Sequence, residues 1–176
     1  MTVAMYTIIF FLPTLSNSVL ENMSFTLIGL LLAIPYVVTL ICMFLVSHHS
    51  DVSGERRYHT ALLLVIAGFG LILDQFETDP LLSLLGITIA LSGVLSFMGP
   101  FWSYVLSSLI EEEQPVGVAI INSIGNLGGF VGPVITGFLI SQFGALNAGW
   151  SVIVFILCIG AMMAFVVEKI PKPMRN

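Results

Sequence analysis

The chain has 176 residues, of which 57% are hydrophobic and 9% charged, and its formal net charge is −5. An ordinary soluble domain carries about a quarter of charged residues, so this composition excludes one and points to a protein of the lipid bilayer. A spanning β-barrel is excluded as well: short runs alternating apolar and polar do not occur, and long apolar runs of the length a membrane helix needs follow one another instead.

Six spans are expected, at about 1–15, 24–47, 60–75, 81–107, 116–140 and 147–168. The first, MTVAMYTIIFFLPTLS, is expected to end near Pro13. At about 1.5 Å per residue it reaches roughly 22 Å, short for a crossing, so the chain is expected to begin partway through a helix. The second carries Pro35 near its middle; proline removes a backbone donor and leaves the Leu31 carbonyl unpaired, which predicts a kink. The loop HHSDVSGERRYH follows, with His48, His49 and His59 read as a solvated cluster facing lipid headgroups. The third span is bland apart from Gly68 and Gly70, and Asp74 lies at its end. In the fourth, Ser96, Gly99 and Ser103 share one face, Pro100 frees the carbonyl of Ser96, and Trp102 has an indole donor to satisfy inside the span. Glu111, Glu112 and Glu113 precede Pro115 at the start of the fifth, where negative charge suits a helix N-terminus. The sixth is largely Ile, Val, Leu and Phe. Cys42 and Cys158 fall inside spans as small apolar packing residues, so neither a disulfide framework nor a metal site is expected.

The few basic residues orient the bundle. Arg56 and Arg57 lie between the second and third spans, and Lys169, Lys172 and Arg175 follow the sixth. With six spans these segments share a side, which the positive-inside rule makes cytoplasmic. The C-terminus is therefore expected in the cytoplasm and the protein in the plasma (inner) membrane, with the lipid bilayer as its surroundings and no nucleic acid among its partners. The Asn22-Met23-Ser24 sequon falls on the outer side and matters only in a glycosylating cell.

The fifth span, VAIINSIGNLGGFVGPVITGFLI, has no charge, yet it is rich in glycine and holds two asparagines. On a helix, Asn122, Asn126, Gly125, Gly128, Gly129 and Gly132 fall within an arc of about 160°. Ile120, Ile124, Leu127, Phe130, Val131 and Val134 occupy the rest. Glycines four apart let two backbones approach closely. Two readings fit the asparagines: their amides bridge neighbouring helices, or they line a polar cavity in which Asn122 touches a ligand. The irregular fourth span, with Trp102, favours the cavity, whereas the hydroxyls of Tyr6 and Tyr36, each taken alone, read more often as helix-to-helix hydrogen bonds than as ligand contacts; broken, glycine-rich helices suit alternating access.

The pieces SDVSGERRYH at 50–59, GPFW at 99–102 and INSIGNLGGFVGP at 121–133, with FFLPT at 10–14 a weaker fourth, resemble the major facilitator superfamily. More narrowly they resemble the C-terminal half, spans seven to twelve, of its anion:cation symporter family of organic-anion permeases. The resemblance implies an all-α polytopic membrane protein, a six-helix bundle equivalent to one half of a transporter whose two halves rock about a central site. It implies uptake of a small organic anion, a carboxylate, with protons, no cofactor, and a partner in the missing N-terminal six-helix half. It places Trp102 and Asn122 at the substrate, with Asn126 and, more weakly, Tyr6. It makes Asp51, Gly54, Arg56 and Arg57 a gating loop, in which Asp51 holds the cytoplasmic gate against helix ends of the other half. Ser47 and Val52 depart from that loop's signature G-x-x-x-D-R-x-G-R-R, which weakens the expected latch.

No Lys or Arg lies within any expected span and no acidic residue lies near a span centre. An organic anion wants a desolvated cation and proton coupling wants a titratable group, so both are expected in the other six helices, with this chain as half of a transporter. The rivals are a six-helix channel or scaffold assembling through glycine faces, and an intramembrane enzyme. The second lacks HExxH, GxSxG and paired intramembrane aspartates.

Overall fold

The computed structural model of the protein describes residues 1–19, 24–76, 79–144 and 146–166, and among these the regular structure is entirely helical. The segments are α1 (Thr2–Val19), α2 (Phe25–Ser53), α3 (Arg56–Phe76), α4 (Pro80–Ser96), α5 (Met98–Ser108), α6 (Gln114–Phe143) and α7 (Leu146–Val166). Helices α2, α3, α6, α7 and the joined α4–α5 unit are each long and apolar enough to cross a membrane, while the apolar stretch at Thr2–Leu12 in α1 is shorter. The fold is that of a polytopic all-α membrane protein.

Helix ends follow capping chemistry more closely than hydropathy. Helix α2 starts where the Ser24 hydroxyl accepts the Leu27 N–H, and α4 where Asp79 accepts the N–H groups of Leu81 and Leu82 at 2.8 and 3.2 Å. Helix α2 continues through the polar residues 48–53 and stops only at Gly54, whose positive φ of 66° lets its N–H reach the Ser50 carbonyl. The expected loop at 48–59 is thus corrected to a turn at Gly54–Glu55, because a helix propagates past the membrane edge until a residue that tolerates the left-handed conformation ends it. Gly144, at φ 67°, closes α6 in the same way. Helix α1 likewise runs past Pro13 to Val19.

Helix α3 is the centre of the bundle, packed against α4 on one side and α7 on the other, while α2 rests on α4 and α1 on α6. Leu64, Ala67 and Leu71 of α3 meet Ala90, Leu91 and Val94 of α4 and Trp150 and Leu157 of α7 in one buried cluster. In lipid, burial brings no hydrophobic gain, so close contact must hold the helices together. Three glycines supply it. A Cβ on Gly70 would lie 2.5 Å from the Ala90 nitrogen, one on Gly86 2.8 Å from the Gly70 carbonyl oxygen, and one on Gly93 2.6 Å from the Leu63 carbonyl oxygen. The α3 and α4 backbones therefore touch along two turns.

Polar side chains also link the helices that pack together. Thr39 of α2 and Ser92 of α4 share a hydrogen bond of 3.0 Å. A double-mutant cycle combining Thr39→Val with Ser92→Ala, read as resistance to unfolding in graded SDS, is expected to give a coupling of about 0.6 kcal/mol; none would mean that the hydroxyls act independently. At the opposite end of α3 from Arg56, the Ser83 hydroxyl donates to Asp74, and Asn147 and Ser151 of α7 donate to Gln75. Trp150 is fully buried beside this group.

The α4–α5 unit breaks at Phe97, three residues before Pro100. Helices α2 and α6 bury little, only Pro35, Thr39 and Ser50 in one and Gly132 and Thr136 in the other. Cys158, expected in the packing, is exposed, and Cys42 is half-buried; their positions on the helical wheel turn them away from the core.

Candidate functional site

A cavity of about 630 Å³ opens at the end of the bundle where α3 and α6 begin and α5 and α7 end. Tyr6 of α1, Trp102 of α5 and Asn122 and Asn126 of α6 all line it. These are the four side chains that the sequence singled out for a substrate, and three separate helices bring them together.

Helix α6 serves two purposes along one face. Its first turns, with Ile121, Asn122, Gly125 and Asn126, border the cavity. Its next turns close on α1: a Cβ on Gly128 would meet Val3 at 2.9 Å, and one on Gly132 would lie 2.5 Å from the Thr7 hydroxyl and 2.7 Å from the Val3 carbonyl oxygen. Gly125 sits more loosely, since a Cβ there would lie 3.2 Å from the Thr2 hydroxyl. A Cβ on Gly129 would lie 2.5 Å from the Tyr6 ring, so this glycine makes the room in which the cavity's tyrosine stands. The two amides are exposed toward the opening, and among the described residues neither forms a hydrogen bond to a neighbouring helix. Trp102 is half-buried, its ring edge-on to Phe101 at 5.4 Å. Tyr36, the other tyrosine weighed in the sequence, is not among the lining residues.

Of the expected gating residues Arg57 lines this cavity, and the other three lie in or beside the α2–α3 turn that precedes it. Gly54 forms the α2–α3 turn, and Asp51 and Arg56 approach each other across it at 3.7 Å, both partly exposed; a pair of this kind contributes at most about 1 kcal/mol. Arg56 also donates from Nη1 to the Ser103 carbonyl of α5 at 2.9 Å. Arg57 donates from Nη2 to the Phe165 carbonyl in the last turn of α7, and the Tyr58 ring lies 6.1 Å from that of Phe165. His49 and His59 share a nitrogen-to-nitrogen hydrogen bond of 2.7 Å across the same turn.

One expectation is corrected here. The chain does bring a cation to the cavity, because Arg57 lines it together with Thr60 and Leu64. Positions 57, 60 and 64 recur on one helical face at spacings of three and four. That signal was readable once α3 is started at Arg56; placing Arg57 in a loop hid it. Met163 and Ala164 of α7 and Tyr104 of α5 also line the cavity without having been singled out.

Comparison with known proteins agrees with this architecture. The model of the Major Facilitator Superfamily matches residues 1–175. A protein of Agrobacterium vitis named "Putative tartrate transporter" is 32% identical over 142 residues, covering 81% of this chain and 32% of the relative. "Inner membrane transport protein RhmT" of Escherichia coli (strain K12) is 29% identical over 163 residues, 93% of this chain and 38% of its own. "Quinolone resistance transporter" of Acinetobacter baumannii is 26% identical over 166 residues, with shares of 94% and 38%. No solved structure matches the chain significantly. The chain spans about a third of the length of these relatives. With apolar helices of membrane-crossing length and a family model that matches almost the whole chain, the chain belongs to the major facilitator superfamily.

Proposed function

We propose that the protein is the C-terminal half of a secondary active transporter of the anion:cation symporter type. It moves a small carboxylate across the inner membrane by alternating access and proton symport, working against a second set of six helices. The observation that carries this reading is the convergence of Tyr6, Trp102, Asn122 and Asn126 on one cavity. Its amides have no bond to a neighbouring helix among the described residues. A polar group held in a membrane interior without a partner is costly, so the free amides favour a ligand over a bridge between helices. About 630 Å³ suits a small molecule, and tartrate, from the name of the Agrobacterium vitis relative, is the first substrate to try. Among the described lining residues there is no Asp or Glu, which supports placing the proton-coupling carboxylate in the other six helices. The positive-inside pattern puts the cavity mouth and the C-terminus in the cytoplasm; Lys169, Lys172 and Arg175 lie outside the described residues.

The test is uptake of labelled tartrate into proteoliposomes, with this chain joined to the six N-terminal helices of a relative. Saturable uptake that follows an imposed proton gradient is expected, whereas passive conductance would establish the channel reading instead. Asn122→Ala and Trp102→Ala are each expected to raise KM about tenfold, since a lost hydrogen bond in a desolvated site costs about 1–3 kcal/mol. Protein abundance should stay constant; parallel losses of uptake and abundance would make both residues structural and overturn the proposal.

A further inference from the structure

Arg57 is the one charged side chain among the described lining residues of the cavity. Its guanidinium has five N–H donors, and among the described residues only Nη2 is engaged, by the Phe165 carbonyl. The Nε–H is buried without a hydrogen-bond partner. A buried donor of this kind is rare and unfavourable unless something fills the place beside it. Two adjacent N–H groups of arginine match the two oxygens of a carboxylate, which a lysine ammonium cannot do in the same planar way. Asp51 pairs with Arg56 across the turn that also holds Glu55, and among the described lining residues no acidic side chain faces Arg57 from inside the cavity.

From this geometry we infer that Arg57 is the cavity's anion-attracting group, meeting the carboxylate of an organic anion at the mouth where α3 begins and α7 ends. The inference rests on reading the cavity as the path of an anion. The Phe165 carbonyl is then the place where the guanidinium stays docked when no anion is near, an interaction favoured by the negative end of the α7 dipole. It follows that this half of the molecule supplies attraction for the anion itself.

The two tryptophans allow a test that needs no transport. Trp102 lines the cavity and Trp150 is fully buried, so collisional quenching by an aqueous solute reports on Trp102. In zwitterionic-detergent micelles at constant ionic strength, the Stern–Volmer constants for iodide and for neutral acrylamide are compared. Arg57→Gln is expected to lower the iodide constant at least about threefold, because a cleft of one sign concentrates counter-ions, and to leave the acrylamide constant unchanged. Arg57→Lys should retain most of the iodide preference. An unchanged iodide constant in Arg57→Gln overturns the inference. So does an equal fall in both constants, which would mean that Arg57 merely ties α3 to α7. Failure of proton-driven tartrate uptake would strike the transport proposal alone, and an iodide constant that Arg57→Gln leaves unchanged would strike the Arg57 inference alone.

Discussion

Leucine in place of Gly70 is expected to prevent the bundle from assembling, while alanine at Gly68, two residues away, leaves it intact. A side chain at position 70 would begin 2.5 Å from both the Ala90 nitrogen and the Gly86 carbonyl oxygen. These are backbone atoms, and no rotamer change can move them aside. The α3 and α4 axes would have to separate, and since α3 also holds α7, the central layer would loosen as a whole. Overpacking a close interface costs about 1–3 kcal/mol and more when backbone must move, so a loss of about 3 kcal/mol or more is expected. The measurement is the folded fraction in graded SDS together with the amount of protein recovered from membranes. Gly68 has no atom within 4 Å of a Cβ position, so its alanine variant should equal the parent or gain slightly from helix propensity. A Gly70→Leu protein as stable as the parent would refute the close α3–α4 crossing.

The second large effect is expected at Trp150. Its side chain is fully buried in the cluster formed by α3, α4 and α7, next to Asp74. Removing a buried tryptophan from a soluble core costs about 3–5 kcal/mol. In a bilayer the transfer part of that cost is small, because lipid is as apolar as the core, and the lost packing contacts remain. Trp150→Ala should therefore lose about 3 kcal/mol and lower the midpoint of thermal unfolding, and Trp150→Phe should keep most of the stability. Trp102→Ala serves as the comparison: that ring borders open space and should cost much less. If the two alanine variants melted together, the assignment of one tryptophan to the core and the other to the cavity would fail.

The apolar runs and the polar face of α6 were legible in the sequence because each is a property of one helix. Hydropathy gives the runs, and a period of 3.6 puts Asn122, Asn126 and the glycines on one side. What was not legible depends on how two helices are rotated against each other. Gly68 and Gly70 look alike in the chain, and only the α3–α4 crossing decides that one is open and the other closed. Trp150 stood out no more than its apolar neighbours, since its importance comes from being surrounded. Arg57 was misplaced for a different reason: polar composition at 48–59 suggested a loop, whereas α2 continues to the capping glycine and α3 resumes two residues later.

Arg56 and Arg57 are neighbours in the chain, yet they hold different helices, the first bonding the Ser103 carbonyl of α5 and the second the Phe165 carbonyl of α7. Successive residues point about 100° apart around an axis, so α3 works here as a two-armed clamp. Any movement that parts α5 or α7 from α3 must break one arm. Helices α5 and α6 barely touch, and one uncharged bond fastens them, from the Gln114 side chain to the Leu106 carbonyl at 3.1 Å. Widening the mouth along that seam keeps both arginine bonds and strains only this exposed, uncharged one, which is the weaker kind, so the cavity has a stiffer wall on one side than on the other.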